Sequence, residues 1–149
     1  MAVQIGRPAP GFSLRNQHGE TVTDGDLRGA PALLVFYPYA FSGICSSELS
    51  QLQERLGDVN AAGARLLALS VDTMFALRTF AEQLGLGFDL LSDFWPHGAT
   101  AEAYGVFDHD RGCAIRGSFL LDADGLVRWS VINEIGRARD IAEHLDALR

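Results

Sequence analysis

Residues 32–37, Ala-Leu-Leu-Val-Phe-Tyr, form an unbroken apolar run that stops at Pro38. A strand with one wet face alternates apolar and polar residues. A run without that alternation suits a central strand buried on both faces. Pro38 ends it, because proline has no N–H to give to a ladder. Residues 65–71, Arg-Leu-Leu-Ala-Leu-Ser-Val, read as a second buried strand of the same kind.

Other elements arrange themselves around these two. Phe12-Ser13-Leu14 and Thr21-Val22-Thr23 read as short strands about a turn at His18-Gly19. A helix is expected from Ser42 or Gly43, with Ile44, Leu49, Leu52 and Leu56 at roughly helical spacing and Gly57 as its C-cap. Asp72 or Thr73 caps a helix through Phe75, Leu77, Phe80 and Leu84, and Gly85 ends it. Phe88 to Leu91 is a third strand, Asp93 to Gly98 a loop, and Thr100 to Tyr104 a short helix. Ile115 to Leu121 and Leu126 to Val131 are strands joined by Asp122-Ala-Asp-Gly125, a hairpin signal. Arg139 to Leu148 closes the chain as an amphipathic helix.

The order is a β-hairpin, then βαβαβ, then an antiparallel hairpin and a last helix. Strands separated by single helices imply parallel pairing through right-handed crossovers. The expected fold is therefore α/β, a thioredoxin-like sandwich with a mixed central sheet and helices on both faces. No repeat or linker divides the sequence, so residues 1–149 are read as one domain.

The net charge is -7 and the pI about 4.9, with the basic residues scattered. That balance offers no electrostatic footprint for nucleic acid or an anionic membrane. The first residues lack a basic start followed by a long apolar stretch, so no signal peptide is expected. The longest apolar run, 30–41, is too short and too interrupted to span a bilayer. A cytoplasmic protein is the expectation. The two cysteines, Cys45 and Cys113, form no C-x-x-C, and no zinc-finger spacing occurs.

The chemistry concentrates in Phe36-Tyr-Pro-Tyr-Ala-Phe-Ser-Gly-Ile-Cys-Ser-Ser-Glu-Leu49. A buried strand delivers the chain to Pro38, a short loop follows, and Cys45 falls in the first turn of the next helix. Free backbone N–H groups and the positive helix end point there. Both favour thiolate over thiol, and the thiolate is the nucleophile.

Pro38-x-x-x-Ser42-x-x-Cys45 resembles the peroxiredoxin active-site motif, and Arg116 in Arg-Gly-Ser-Phe-Leu-Leu-Asp122 resembles that family's strand arginine. The resemblance extends over nearly the whole chain. It includes the opening Gly6-Arg-Pro-Ala-Pro-Gly-Phe-Ser-Leu14 and the stretch from Leu91-Ser-Asp-Phe-Trp-Pro-His-Gly-Ala99 to Ala103-Tyr-Gly-Val-Phe107. That last stretch is most similar to the one-cysteine peroxiredoxins called alkyl hydroperoxide reductase E.

The resemblance implies a thiol peroxidase of antioxidant defence, acting on hydrogen peroxide and organic hydroperoxides. Cys45 would attack the peroxide and become a sulfenic acid. Ser42 would hydrogen-bond the peroxide, where most members carry Thr and its rotamer-limiting methyl. Arg116 would hold the thiolate and the attacked oxygen, Pro38 would shield the sulfur, and the Cys45 N–H would stabilise developing charge. Glu48 would orient Arg116. No metal or organic cofactor is needed, since the chemistry is a two-electron displacement. Partners would be the hydroperoxide, an external thiol or thiol-disulfide reductant protein, and a second copy of the chain in a homodimer or higher oligomer.

Plainer readings stand beside these. Cys45 alone could be a small buried hydrophobe, Arg116 a surface ion-pair partner, and Glu48 a solvated helix residue. Cys113 is either structural or a resolving cysteine. It matches none of the usual resolving positions, because residue 50 is Ser and the chain stops at Arg149 without a tail. Asp122-Ala-Asp-Gly125 lacks the remaining ligands of a calcium loop. Asp108-His-Asp110 reads as a solvated loop. Phe94, Trp95, Tyr104 and Phe107 could pack the core, line a rim or form a dimer face. The competing functional class is a non-catalytic thioredoxin-like binding or holdase module.

Overall fold

The structure is a computed structural model, and it describes residues 3–149. A seven-stranded mixed sheet runs through it, in the spatial order β2-β1-β5-β4-β3-β8-β9. Strands β1 (Ser13–Asn16) and β2 (Thr21–Thr23) form the edge hairpin. The three middle strands β3 (Ala32–Phe36), β4 (Arg65–Ser70) and β5 (Asp89–Ser92) are mutually parallel. Strands β8 (Arg116–Leu121) and β9 (Val127–Asn133) add antiparallel, and β8 lies directly against β3.

β3 sits between β4 and β8, and all five of its residues are buried. The period-two geometry of a strand splits its side chains between two cores. Leu33, Val35 and Tyr37 join one cluster, Leu34 and Phe36 the other. Over the first face lie α1 (Gly43–Glu54), α2 (Leu56–Ala61), α3 (Met74–Leu84) and α5 (Ile141–Ala147). Over the second lies α4 (Ala99–Ala103), through Ala101, beside the aromatic group Phe36, Tyr104 and Phe119.

Local signals explain most boundaries. Thr73 caps α3 by accepting from the Ala76 N–H, and Gly85 ends it in the left-handed conformation at φ +64°. Asp93 caps the turn of α4, taking the N–H groups of Thr100 and Ala101 on its two carboxylate oxygens.

Three expectations are corrected and one element is added. The helix after Cys45 breaks at Arg55, so Gly57 lies inside α2 rather than capping α1. Asp108 is not a solvated loop residue. It belongs to β6 (Phe107–Asp108), which pairs with β7 (Cys113–Ala114) in a separate two-stranded ribbon. The last helix begins at Ile141, with Asp140 as its N-cap, and so excludes Arg139. Residues 24–27 form a turn of 3-10 helix with a capping box between Thr23 and Asp26, which sequence reading missed.

Candidate active site

The site begins where β3 stops. Tyr37 still donates its N–H to the Leu69 carbonyl at 3.0 Å, but Pro38 has none to give, and the chain turns away. The loop that follows holds Phe41 at φ +70°, a conformation that bulky residues rarely adopt and that costs about 1–3 kcal/mol. Several contacts hold it there. Ala40 N–H donates to Asp72 Oδ2 at 2.8 Å, the Tyr39 hydroxyl donates to the Arg111 carbonyl at 2.9 Å, and the Phe41 ring packs edge-on to Phe80. The Ser42 hydroxyl donates back to the Tyr39 carbonyl at 3.1 Å.

Ser42 is the N-cap of α1. The first helical bond runs from the Ser46 N–H to the Ser42 carbonyl at 2.9 Å. The N–H groups of Gly43, Ile44 and Cys45 therefore precede the helical ladder. Cys45 is 0% exposed in that first turn, and Glu48, one turn on, is 1% exposed. Glu48 is thus no solvated helix residue.

The register brings the arginine. Val35 faces Ser118 across the antiparallel β3–β8 pair, so Arg116, two residues earlier, lies beside the end of β3. It is 2% exposed. Its NH1 donates to Cys45 Sγ at 3.3 Å and to Glu48 Oε1 at 2.5 Å, and its Nε donates to the Ile135 carbonyl at 2.7 Å.

Arg139 completes the cluster, and sequence reading did not find it. It is 4% exposed and holds Glu48 by three bonds: backbone N and Nε to Oε2 at 2.7 and 3.1 Å, and NH2 to Oε1 at 3.0 Å. NH1 donates to the Gly117 carbonyl and to Ser118 Oγ. The only local sign was Asp140, a good helix N-cap, which could have placed Arg139 outside the helix.

Charge counting shows what the cluster wants. Two buried guanidinium groups face one carboxylate, and an unbalanced buried charge is costly. Cys45, with Sγ 3.3 Å from Arg116 NH1, is the side chain that lies against this excess positive charge. Burial pushes against ionisation of Glu48, but the Arg139 side chain, its charge and its backbone N–H, together with the Arg116 charge, outweigh that effect. The Glu48 carboxyl is held below its ordinary range.

The AhpC/TSA family pattern matches residues 5–130. Over 147 residues the chain is 44% identical to alkyl hydroperoxide reductase E of Mycobacterium tuberculosis, covering 98% of this chain and 96% of that one. The chain belongs to the AhpC/TSA family. Peroxiredoxin-2 of Rattus norvegicus, also similar, is 33% identical over 156 residues, covering 95% of this chain and 75% of its own. Among solved structures, AhpC of Enterococcus faecalis superposes with a TM-score of 0.91 at 26% identity, over 99% of this chain and 91% of that one. The thioredoxin-like peroxiredoxin fold is therefore that of this chain.

Within this AhpC/TSA fold, Pro38 is buried at the head of the loop, and Cys45, Glu48 and Arg116 come together. Ser42 stands on the same turn, with its hydroxyl committed to Tyr39. Cys113 is on β7, makes no bond within the Cys45–Arg116–Glu48 cluster, and is a free thiol, 1% exposed. Burial is the largest influence on it and raises its pKa. The bond to Tyr39 works against that, and the Asp108 charge adds to it.

Proposed function

We propose that this protein is a thiol-dependent peroxidase that reduces hydrogen peroxide and organic hydroperoxides at Cys45. The observation that carries the reading is the 3.3 Å contact of Arg116 NH1 with Cys45 Sγ, at the open N-terminus of α1. The thiolate attacks the terminal peroxide oxygen. The S–O bond forms as the O–O bond breaks, and the leaving oxygen takes a proton to depart as water or an alcohol. Sulfur is oxidised to the sulfenic acid.

Each neighbouring residue has a part. Arg116 holds the thiolate and follows the charge onto the peroxide oxygens. The Cys45 N–H points at the same place. The Ser42 hydroxyl turns from the Tyr39 carbonyl to the bound peroxide, and buried Pro38 keeps water from the sulfur. Glu48 orients Arg116 through the 2.5 Å bond.

The cycle closes with outside thiols. One attacks the sulfenic sulfur and releases water, leaving a mixed disulfide. A second frees Cys45. A one-cysteine cycle fits the raised pKa of Cys113, because a thiol held protonated is a poor nucleophile. Two free thiols also suit a reducing compartment such as the cytoplasm. Among the described residues no helix is long and apolar enough to cross a membrane. The reading includes a homodimer or higher oligomer. Phe75, Phe94 and Trp95 stand exposed around one cleft of about 420 Å³, and such apolar patches mark interfaces.

Mixing the reduced protein with hydrogen peroxide in a stopped-flow instrument, followed by intact mass, tests this. Rapid gain of one oxygen, abolished by Cys45→Ser and retained in Cys113→Ser, is the expected result. Loss of two hydrogens, abolished by either variant, would make Cys113 a resolving cysteine. No fast reaction in the parent protein would remove the peroxidase reading.

A further inference from the structure

One buried titratable side chain that the chemistry above does not use connects to the site through hydrogen bonds. His144 on α5 is 0% exposed and lies edge-on to Trp129. Its Nδ1 is 2.9 Å from the Asp140 carbonyl oxygen, which can only accept, so Nδ1 carries the proton. Nε2 is then an acceptor, and it faces Ser118 Oγ at 2.8 Å. Ser118 Oγ also faces Arg139 NH1 at 3.1 Å, a group that can only donate.

These three contacts admit one arrangement. The Ser118 hydroxyl gives its single proton to His144 Nε2 and its lone pair to Arg139. Arg139 also donates to Glu48, Glu48 accepts from Arg116 as well, and Arg116 NH1 donates in turn to Cys45 Sγ. The contacts are continuous from α5 to the sulfur, with Arg139 and Arg116 each donating to both of their neighbours.

We propose that His144 is a positioning residue for the peroxidase site: as a neutral imidazole it fixes the Ser118 hydroxyl, and through Arg139 and Glu48 the orientation of Arg116 against Cys45. The proposal rests on Cys45 being the reacting thiol. His144 belongs to the last turn of the chain, far from the sulfur in sequence, and touches no reacting atom.

Protonating His144 would undo the arrangement. Nε2 would become a donor aimed at the Ser118 oxygen, the hydroxyl proton would lose its acceptor, and an imidazolium would face Arg139. The charged groups around it act in both directions. Burial opposes the charged form most strongly, the Asp140 carbonyl supports it, Arg139 opposes it, and the Glu48 and Asp140 carboxylates support it. The balance lies below the ordinary value of 6.5, so the imidazole is neutral at neutral pH. Ser118 on β8 and Trp129 on β9, which also face it, are uncharged.

The test measures the single-turnover rate of Cys45 oxidation by hydrogen peroxide between about pH 5 and about pH 8, where histidine titrates. His144→Phe keeps a ring against Trp129 and removes the acceptor. It should slow oxidation about tenfold, the effect of losing one hydrogen bond in a charged network. It should also remove one ionisation from the acid limb of the pH profile. His144→Gln, whose amide oxygen can accept from Ser118, should stay within about twofold of the parent. Ser118→Ala, which deletes one oxygen, should match His144→Phe, and the double variant should lose no more, since coupled residues are not additive. If His144→Phe does not fold, Ser118→Ala carries the comparison. Parental rate and pH profile in these variants, with only thermal stability changed, would overturn the proposal. A parent protein that fails to oxidise at Cys45 would instead overturn the peroxidase reading.

Discussion

Arg139 grips Glu48 with three nitrogens and both carboxylate oxygens, across 91 residues of sequence. The pair is buried, so neither member has water to fall back on. That makes the arrangement sensitive to the loss of either side, since deleting one partner strands the other's charge.

Arg139→Met should therefore destabilise the protein by about 3–5 kcal/mol, the usual consequence of breaking a buried pair. Urea unfolding of the parent and the variant gives the value. A loss below about 1 kcal/mol would mean that Arg116 alone satisfies Glu48.

Arg116→Met removes the cation from Cys45 and leaves Glu48 to Arg139. The rate of Cys45 oxidation should fall about tenfold to a hundredfold, the range for losing charge-assisted hydrogen bonds to a reacting group. Arg116→Lys should recover only part, because an ammonium cannot serve Ile135, Glu48 and Cys45 in one plane. Stopped-flow rates with equal peroxide concentrations decide it, and a Lys variant equal to the parent would show that charge alone suffices.

Stability should decline on acidification in two stages. His144 has a folded-state pKa below 6.5, so the unfolded chain binds its proton first, and its contribution shrinks as pH falls below 6.5. Glu48 has a folded-state pKa below 4.5, so its contribution is whole above 4.5 and is lost as pH falls through the folded value. Urea melts in buffers from neutral pH downwards should show the first decline in the parent and not in His144→Phe. A parent curve flat down to 4.5 would remove the histidine from the account.

Asp72 ties the active-site loop to the end of β4, with Oδ2 accepting from the Ala40 N–H and from Ser70 Oγ at 2.6 Å. Asp72→Ala should cost about 1–3 kcal/mol, the penalty for an unmet buried donor. It should also slow Cys45 oxidation, because the strained Phe41 backbone relaxes and moves the helix start. Calorimetry and the oxidation rate measured together would separate these. A slower rate without lost stability, or the reverse, would show that the loop and the sulfur are not coupled through Ala40.

Much of this architecture is legible in the order of residues. Doubly buried strands such as β3 and β4 carry little polar patterning, so their apolar runs announce them. Pro38 and the helical spacing after it place Cys45 at a helix start. Thr73 and Gly85 bracket α3, and Asp122-Ala-Asp-Gly125 turns β8 into β9. In each case the deciding force acts within a few residues: a missing N–H, a left-handed backbone or a side chain bonding a nearby amide.

Other features were decided by the tertiary structure. The two-residue strands β6 and β7 are too short to show a period. The break at Arg55 divides a helix whose apolar spacing continues to Leu56. Arg139 sits in a connection with no pattern of its own, and its acceptors Glu48 and Ser118 come from α1 and β8. Whether a charge is solvated or buried depends on what folds over it, and hydrogen-bond direction depends on which groups then meet. The sequence by itself determined the longer strands, the helix start and the cysteine it carries. Only the folded chain decided which arginines, carboxylate and histidine surround that sulfur, because they are drawn together by packing between elements and not by anything adjacent in the chain.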